Sequence, residues 1–360
     1  MKTTDVLVVG GGPAGLSAAI AAAECGASVT LADMNDRLGG QLIKQTHKFF
    51  GSKNEHAGTR GIEIAEMLAE RVRSLSRIEV MLEANVLGYY SDGVVTIDQA
   101  DRWIKVKPRA LVVAAGASEK FLAFPNNDLP GIYGAGAVQT LMNVYGVVPG
   151  KRVLMVGAGN IGLIVSYQLR QAGVDVAAII EAMPEIGGYA VHASKVRRMG
   201  IPILCSHSIK AAHGQEVLER VTVWRLDEKW HGIPGTEMDF DVDVLCLAVG
   251  LTPTAELLWQ AGCRMLYVPE LGGHVPWYDD NQETSVKGIF VAGDTGGVEE
   301  ASSAMMTGRL AGLSAARHVG CVDGIESKVL EVRRELAHLR AGPMGEKVRR
   351  GLGKLRMGGA

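Results

Sequence analysis

Short, nearly unbroken apolar runs closed by glycine or an acidic residue recur along the chain: Val6–Val9, Val29–Ala32, Ala110–Ala115, Val153–Val156, Val176–Ile180, Val244–Val249 and Ile289–Ala292. Runs of this length without polar alternation predict strands buried on both faces, as in a parallel sheet. Between them lie alanine- and leucine-rich stretches after Gly15 and Gly162 with the composition of helices. The predicted order of strand, helix and strand occurs twice, so the expected fold is α/β with two Rossmann-like domains, followed by a C-terminal helical tail. Every apolar run stops far short of the roughly 20 residues a bilayer helix needs, so no membrane span is expected.

What joins strand to helix carries the chemistry. In "DVLVVGGGPAGLSAA", Gly10, Gly12 and Gly15 have G-x-G-x-x-G spacing. The first glycine suits a tight turn, the second lets backbone approach a pyrophosphate, and the third lets the helix sit close on the sheet. Pro13 and Ala14 open that helix, whose N-terminus favours anions. Asp33 closes the next strand about 20 residues on, where a carboxylate reaches the ribose of an adenosine. "KRVLMVGAGNIGL" repeats the plan with Gly157, Gly159, Asn160, Ile161 and Gly162, and Glu181 takes the place of Asp33. The repeat extends further: "RLGGQL" follows Asp33 and "EIGGYA" follows Glu181 at the same offset, and strands closing at Gly116 and Gly250 correspond. Two dinucleotide sites in one chain suggest a flavin in one and a nicotinamide in the other, since hydride transfer needs the two rings held in contact.

The stretch "GIFVAGDTGGVEEASSAMM" decides which copy holds which. It resembles the closing segment of two-dinucleotide flavoproteins of the pyridine nucleotide–disulfide oxidoreductase superfamily, in which a Gly-Asp pair returns to the first domain and completes the FAD site. The resemblance implies that Gly293 and Asp294 form that pair, Asp294 bonding the ribityl chain or pyrophosphate region. A helix expected to begin near Val298 would aim its positive end at the flavin pyrimidine edge, with Glu300 and Ala301 as edge contacts. Glu300 reads equally as an ordinary first-turn carboxylate. The domains expected are therefore 1–116 (FAD, first part), 117–249 (NAD(P)-type), 250–320 (FAD, second part) and 321–360 (C-terminal helix and basic tail). Gly40 and Gln41 continue the FAD side in this family. Thr46, His47, Lys48 and Phe49 are candidates for lining the ring, with Lys48 and His47 the candidate catalytic groups; a basic aromatic surface turn is the other reading.

The superfamily's redox dithiol is missing from both of its usual places, and Cys25, Cys205, Cys246, Cys263 and Cys321 contain no C-x-x-C. Neither zinc nor any other metal is expected, and the nine histidines show no ligand spacing. A narrower resemblance rests on "LPGIYGAGAVQTLMNVYGVVPGKRVLMVGAGN", "CLAVGLTPTAELLWQAGC", "GGHVPWYDDNQETSVKGIFVAGD" and "GRLAGLSAARHVG". These phrases are similar to the FAD subunits of multi-subunit amine and amino-acid dehydrogenases, a group with hydrogen cyanide synthase, opine oxidase, dye-linked proline dehydrogenase and heterotetrameric sarcosine oxidase. Some members carry a cysteine-rich iron–sulfur extension and several have a degraded second glycine loop, whereas here Gly157, Gly159 and Gly162 are all present. The resemblance implies FAD as cofactor and partner subunits carrying a second flavin or an iron–sulfur centre. Glu181 favours NAD(H) over NADP(H), because a carboxylate repels a 2′-phosphate, unless Arg197 and Arg198 fold back onto the loop. A free-standing NADH:acceptor reductase stands as the alternative, as does a second site that is empty or takes another adenine nucleotide.

Composition narrows little further. The 360 residues are 47 % hydrophobic and 21 % charged with a net charge of −2, which fits globular domains and offers no general attraction to nucleic acid or acidic membranes. The first five residues show no basic leader or cleavage site, so a cytoplasmic location is expected; an oligomeric assembly is a separate expectation. Near the end, Ile325, Val329, Val332, Leu336 and Leu339 form an apolar stripe on an Arg- and Glu-rich helix, to be buried on its own domain or on a partner. The glycine-broken basic sequence after Pro343 reads as a mobile tail.

Overall fold

The computed structural model of the chain describes residues 1–49 and 56–358. Residues 50–55 and 359–360 therefore lie outside the described residues. The chain divides into two units: Met1–Ser118 together with the chain from Leu251 onward, and Glu119–Gly250.

In the first unit, Lys2–Val9 occupies the middle of a parallel sheet, since Val6, Leu7 and Val8 are fully buried and have no polar side to turn to water. Helix α1 (Pro13–Glu24) follows, with Pro at a position where the missing N–H costs nothing. Helix α2 (Gly61–Ser74) leads on to the edge strand. The strands run in the order Ile78–Met81, Val29–Ala32, Lys2–Val9, Arg102–Val113. Arg102–Val113 is long enough to serve two neighbours on one edge. Its first half pairs antiparallel with Val95–Gln99, and its last residues pair parallel with Ile289–Val291. A strand from late in the chain thus completes the first sheet.

The second unit repeats the core. Five parallel strands run in the order Ile203–Cys205, Asp175–Glu181, Arg152–Val156, Val244–Leu247, Ile132–Gly134. Helices α3 (Ala135–Tyr145), α4 (Asn160–Gln171) and α5 (Ala190–Arg198) belong to it, along with an antiparallel ribbon of His207–His213, Arg220–Arg225 and Met238–Asp241.

After the chain returns to the first unit it forms α6 (Glu256–Gln260), α7 (Ala301–His318), α8 (Ile325–Leu339) and α9 (Glu346–Met357). Helix α7 starts at Ala301, slightly later than Val298, with Glu300 as its N-cap residue. It lies on α1 at backbone distance: a Cβ on Gly308 would stand 2.0 Å from the Ala14 carbonyl oxygen, and one on Gly312 2.2 Å from that of Ala18. Helix α8 buries its expected stripe, Ile325, Val329, Val332 and Leu336, in the same core as α1 and α7.

The tail expected to be mobile is instead α9, for three physical reasons. Leu355 is buried among Val268, Leu271 and Leu258. Gly351 is a contact, where a Cβ would stand 2.7 Å from Leu271 Cγ, so the glycine permits packing instead of breaking the helix. Two of its basic residues pair with carboxylates: Lys354 with Glu270 at 2.5 Å and Arg356 with Asp280. Among the described residues, no helix is long and apolar enough to cross a membrane.

Candidate functional site

Each unit presents its own glycine loop, and the two have the same internal logic. Gly10 has φ +103°, and a Cβ there would stand 2.3 Å from the Ala114 carbonyl oxygen, so only glycine can make the turn. A Cβ on Gly15 would come within 1.7 Å of the Gly10 carbonyl oxygen. The protein itself therefore demands these two glycines. Gly12 is different: the nearest atom to a Cβ there is Gly40 Cα at 3.8 Å, an ordinary contact.

The second unit matches point for point. Gly157 has φ +100° with the Ala248 carbonyl oxygen 2.3 Å from its would-be Cβ, and Gly162 is closed by the Gly157 carbonyl oxygen at 2.0 Å. Around Gly159 nothing lies within 4 Å. In both loops the middle glycine has no steric need inside the protein, which leaves room against bare backbone at a helix N-terminus, the shape a pyrophosphate requires.

Both acids brace these loops. Asp33 is buried and accepts the Gly11 N–H on one oxygen, and the Asn35 N–H and side-chain amide on the other at 2.8 Å each. Glu181 accepts the Ala158 N–H at 2.7 Å and the Met183 N–H at 2.9 Å. The Gly-Gly segments then fold over the loops. A Cβ on Gly40 would stand 2.6 Å from Gly12 Cα, and one on Gly188 2.9 Å from the Gly159 carbonyl carbon. Asn160 fastens the second of these through the Tyr189 N–H at 2.8 Å, and the side chain of Ile161 is exposed. Arg197 and Arg198 lie exposed on the last turn of α5, and among the described residues no hydrogen bond joins either to the glycine loop.

The late Gly-Asp pair is brought to the first loop. Gly293 has φ +63° and stands so close to α1 that a Cβ would be 2.7 Å from Ala14 Cβ, while its N–H donates to Thr307 Oγ1 at 3.0 Å. Gly116 joins them: its N–H donates to Thr295 Oγ1 at 2.9 Å. Asp294 keeps some open surface, but its carboxyl group is enclosed. Burial pushes it up to about 7, with Glu299 and Glu300 adding repulsion and the Glu299 N–H, 3.3 Å from Oδ1, opposing the rise.

Thr295 and Thr307 escaped the sequence reading. Their signal was the hydroxyl in "GDT" and "MMTG", which only the folded partner explains. Glu119 was missed as well. It accepts the N–H groups of Gly136 and Ala137 at 2.6 and 3.2 Å and so caps α3.

The loop after Gly40 divides. Gln41 and Lys48 are exposed, and His47 stacks on Phe49 at 5.6 Å between ring centres. Phe49 itself is buried with Leu42, Ile64 and Met305, so it anchors the loop to the core. Gly250 closes its strand with φ +107° and accepts the Lys120 N–H at 3.0 Å.

All five cysteines are free. Cys25 and Cys321 influence each other beside Lys328, whose Nζ lies 3.8 Å from Cys25 Sγ. Burial raises the Cys25 thiol, and the pair sits at the end of α1 remote from the glycine loop, so it is badly placed to trade electrons with a ligand there.

Comparison with known proteins agrees with this geometry. The pattern of the pyridine nucleotide-disulphide oxidoreductase family matches residues 4–308. The chain belongs to that family and is an oxidoreductase. An opine oxidase subunit of Agrobacterium tumefaciens (strain Ach5) is 27 % identical over 361 residues, covering 92 % of this chain and 70 % of that protein. The sarcosine oxidase alpha subunit of Rhizobium meliloti (strain 1021) is 28 % identical over 304 residues, covering 80 % of this chain but 28 % of that one. The crystal structure of L-proline dehydrogenase from P. horikoshii superposes with a TM-score of 0.70 at 24 % identity, over 91 % of this chain and 59 % of that chain, and shows the shared fold. The family resemblance and the α/β fold of paired Rossmann-like domains read from the sequence both hold.

Proposed function

We propose that the first unit binds FAD and the second NAD(H), that electrons pass between them, and that the chain serves as the flavin subunit of a multi-subunit amine or amino-acid dehydrogenase or oxidase. The observation that carries this reading is the free space at Gly12 and Gly159, each against a helix N-terminus and beside a loop braced by an acid. When bound, FAD would supply two-electron chemistry and NAD(H) a hydride. Backbone N–H groups of the Gly12 loop would hold the flavin dinucleotide's pyrophosphate, and Asp294 its sugar or pyrophosphate region. The N-terminal end of α7, at Glu300 and Ala301, would face negative charge at the ring edge. Glu181 favours NAD(H), since its carboxylate would repel a 2′-phosphate and, among the described residues, no hydrogen bond ties Arg197 or Arg198 to the loop. Five free cysteines fit a cytoplasmic setting.

The test is anaerobic mixing of the purified protein with NADH. Fast bleaching of the flavin absorbance band is expected, with NADPH slower by about tenfold or more. Gly159→Ala should keep both folding and flavin, because its Cβ meets nothing, yet lose the fast phase. Flavin that neither nucleotide reduces would leave the second loop empty or assign it to another adenine nucleotide.

A further inference from the structure

The family pattern ends at residue 308, yet the chain continues through the rest of α7, α8 and α9. That extension converges on the short segment joining Asp294 to α7. At the end of α8, Arg340 makes a forked pair with Glu299: Nε donates to Oε2 at 2.8 Å and Nη2 donates to Oε1. The two side chains are 13 % and 9 % exposed, so this is a buried pair. Glu299 is the residue whose N–H donates to Asp294.

Helix α9 reaches the same segment by another route. Gly351 presses on Leu271, the Leu271 carbonyl accepts the Val298 N–H at 3.0 Å, and the Leu271 side chain lies 3.1 Å from where a Gly297 Cβ would be. Arg349 links the two helices by donating to the carbonyls of Arg340 and Gly342. From the other side, the Tyr278 hydroxyl donates to the Gly296 carbonyl at 3.1 Å.

We propose that α8 and α9 form a built-in clamp that sets the position of the flavin-binding segment 294–300, with Arg340 as its positioning residue; this rests on the assignment of FAD to the first unit. A buried ion pair adds little net stability, because desolvation offsets most of the attraction. A forked guanidinium–carboxylate pair does fix geometry, since two parallel hydrogen bonds leave one relative orientation. Held this way, the Glu299 N–H is aimed at Asp294, and the start of α7 is kept where the ring edge would lie. Three basic groups of α9 are engaged inside the chain: Lys354 on Glu270, Arg356 on Asp280 and Arg349 on backbone carbonyls.

The test compares wild type with Arg340→Gln, Arg340→Lys and the double variant Glu299→Gln/Arg340→Gln, reading FAD release by fluorescence after dilution together with the thermal midpoint. Arg340→Gln leaves Glu299 buried and unpaired and is expected to lower the midpoint and speed FAD release about tenfold. Removing both charges should restore most of the midpoint while release stays fast, a separation that a purely structural role would not produce. Arg340→Lys should recover release only in part, because one ammonium cannot make the fork. Release from the double variant at the wild-type rate would overturn the clamp alone. Wild-type protein purified without any flavin would overturn the FAD assignment and the clamp with it.

Discussion

A carboxyl group shut away from water beside two other carboxylates gives up its proton late, and Asp294, pushed up to about 7 from an ordinary value of 3.8, is such a group. Its contribution to stability has a definite sign. Between about pH 4 and 7 the folded flavin-free protein holds a proton that the unfolded chain has lost, so the stabilisation is full below that window and is lost as pH rises through 7. Glu299 and Glu300 face the group, and the Glu299 N–H alone among these neighbours favours its charged form. Chemical denaturation of flavin-free wild type should therefore show falling stability from pH 5 to pH 8. Asp294→Asn should flatten that slope and be the more stable protein at pH 8, while binding FAD more weakly. An unchanged slope would show that the carboxyl group is solvated. Selection for binding at a cost in stability is expected where a buried carboxylate serves a ligand.

Helix α7 shows at the level of elements what the sequence could and could not reveal. The strand, glycine loop, helix and acid of each copy were legible because they form one contiguous pattern of fixed spacing: an apolar strand, a glycine turn with positive φ, a small-residue helix and an acid at the next strand end. Thr295 and Thr307 were not, since their partners Gly116 and Gly293 come from elsewhere in the sequence. The fold of α9 was hidden because its glycines look like breaks until Leu271 is seen to lie against one of them. The small residues of α7 belong to both classes, since their spacing predicts a helix but not that it would touch α1 along its backbone. Gly312→Ala and Gly308→Ala separate two consequences of that contact. Each added methyl must push the helices apart, costing about 1–3 kcal/mol in urea unfolding. Gly308 lies against Ala14, at the start of α1 beside Gly293, so its variant should also lose flavin, whereas Gly312, one turn further along against Ala18, should lose stability and keep flavin. Equal flavin loss in both would mean that the spacing of the whole helix pair, rather than the α1 N-terminus, controls the site.

For the molecule as a whole, the question is where the electrons go. None of the five cysteines stands in a glycine loop or in the Gly-Asp turn, and Cys25, whose thiol is raised by burial and also feels Cys321, lies at the far end of α1. Neither of the places where the family carries its internal dithiol holds a cysteine here. The chain spans 70 % of the opine oxidase polypeptide and 28 % of the sarcosine oxidase polypeptide it resembles, so most of the latter lies outside the shared part. On the proposed reading, the exit for electrons is supplied by a separate polypeptide. The isolated protein should then show one rapid reduction by NADH followed by slow steady-state oxidation, and the polypeptides that elute with it from its native cell should raise that steady rate about tenfold or more without changing the first phase. Rapid steady turnover with dissolved oxygen or a quinone by the chain alone would make it a free-standing reductase, because the acceptor would then reach the flavin with no other polypeptide between.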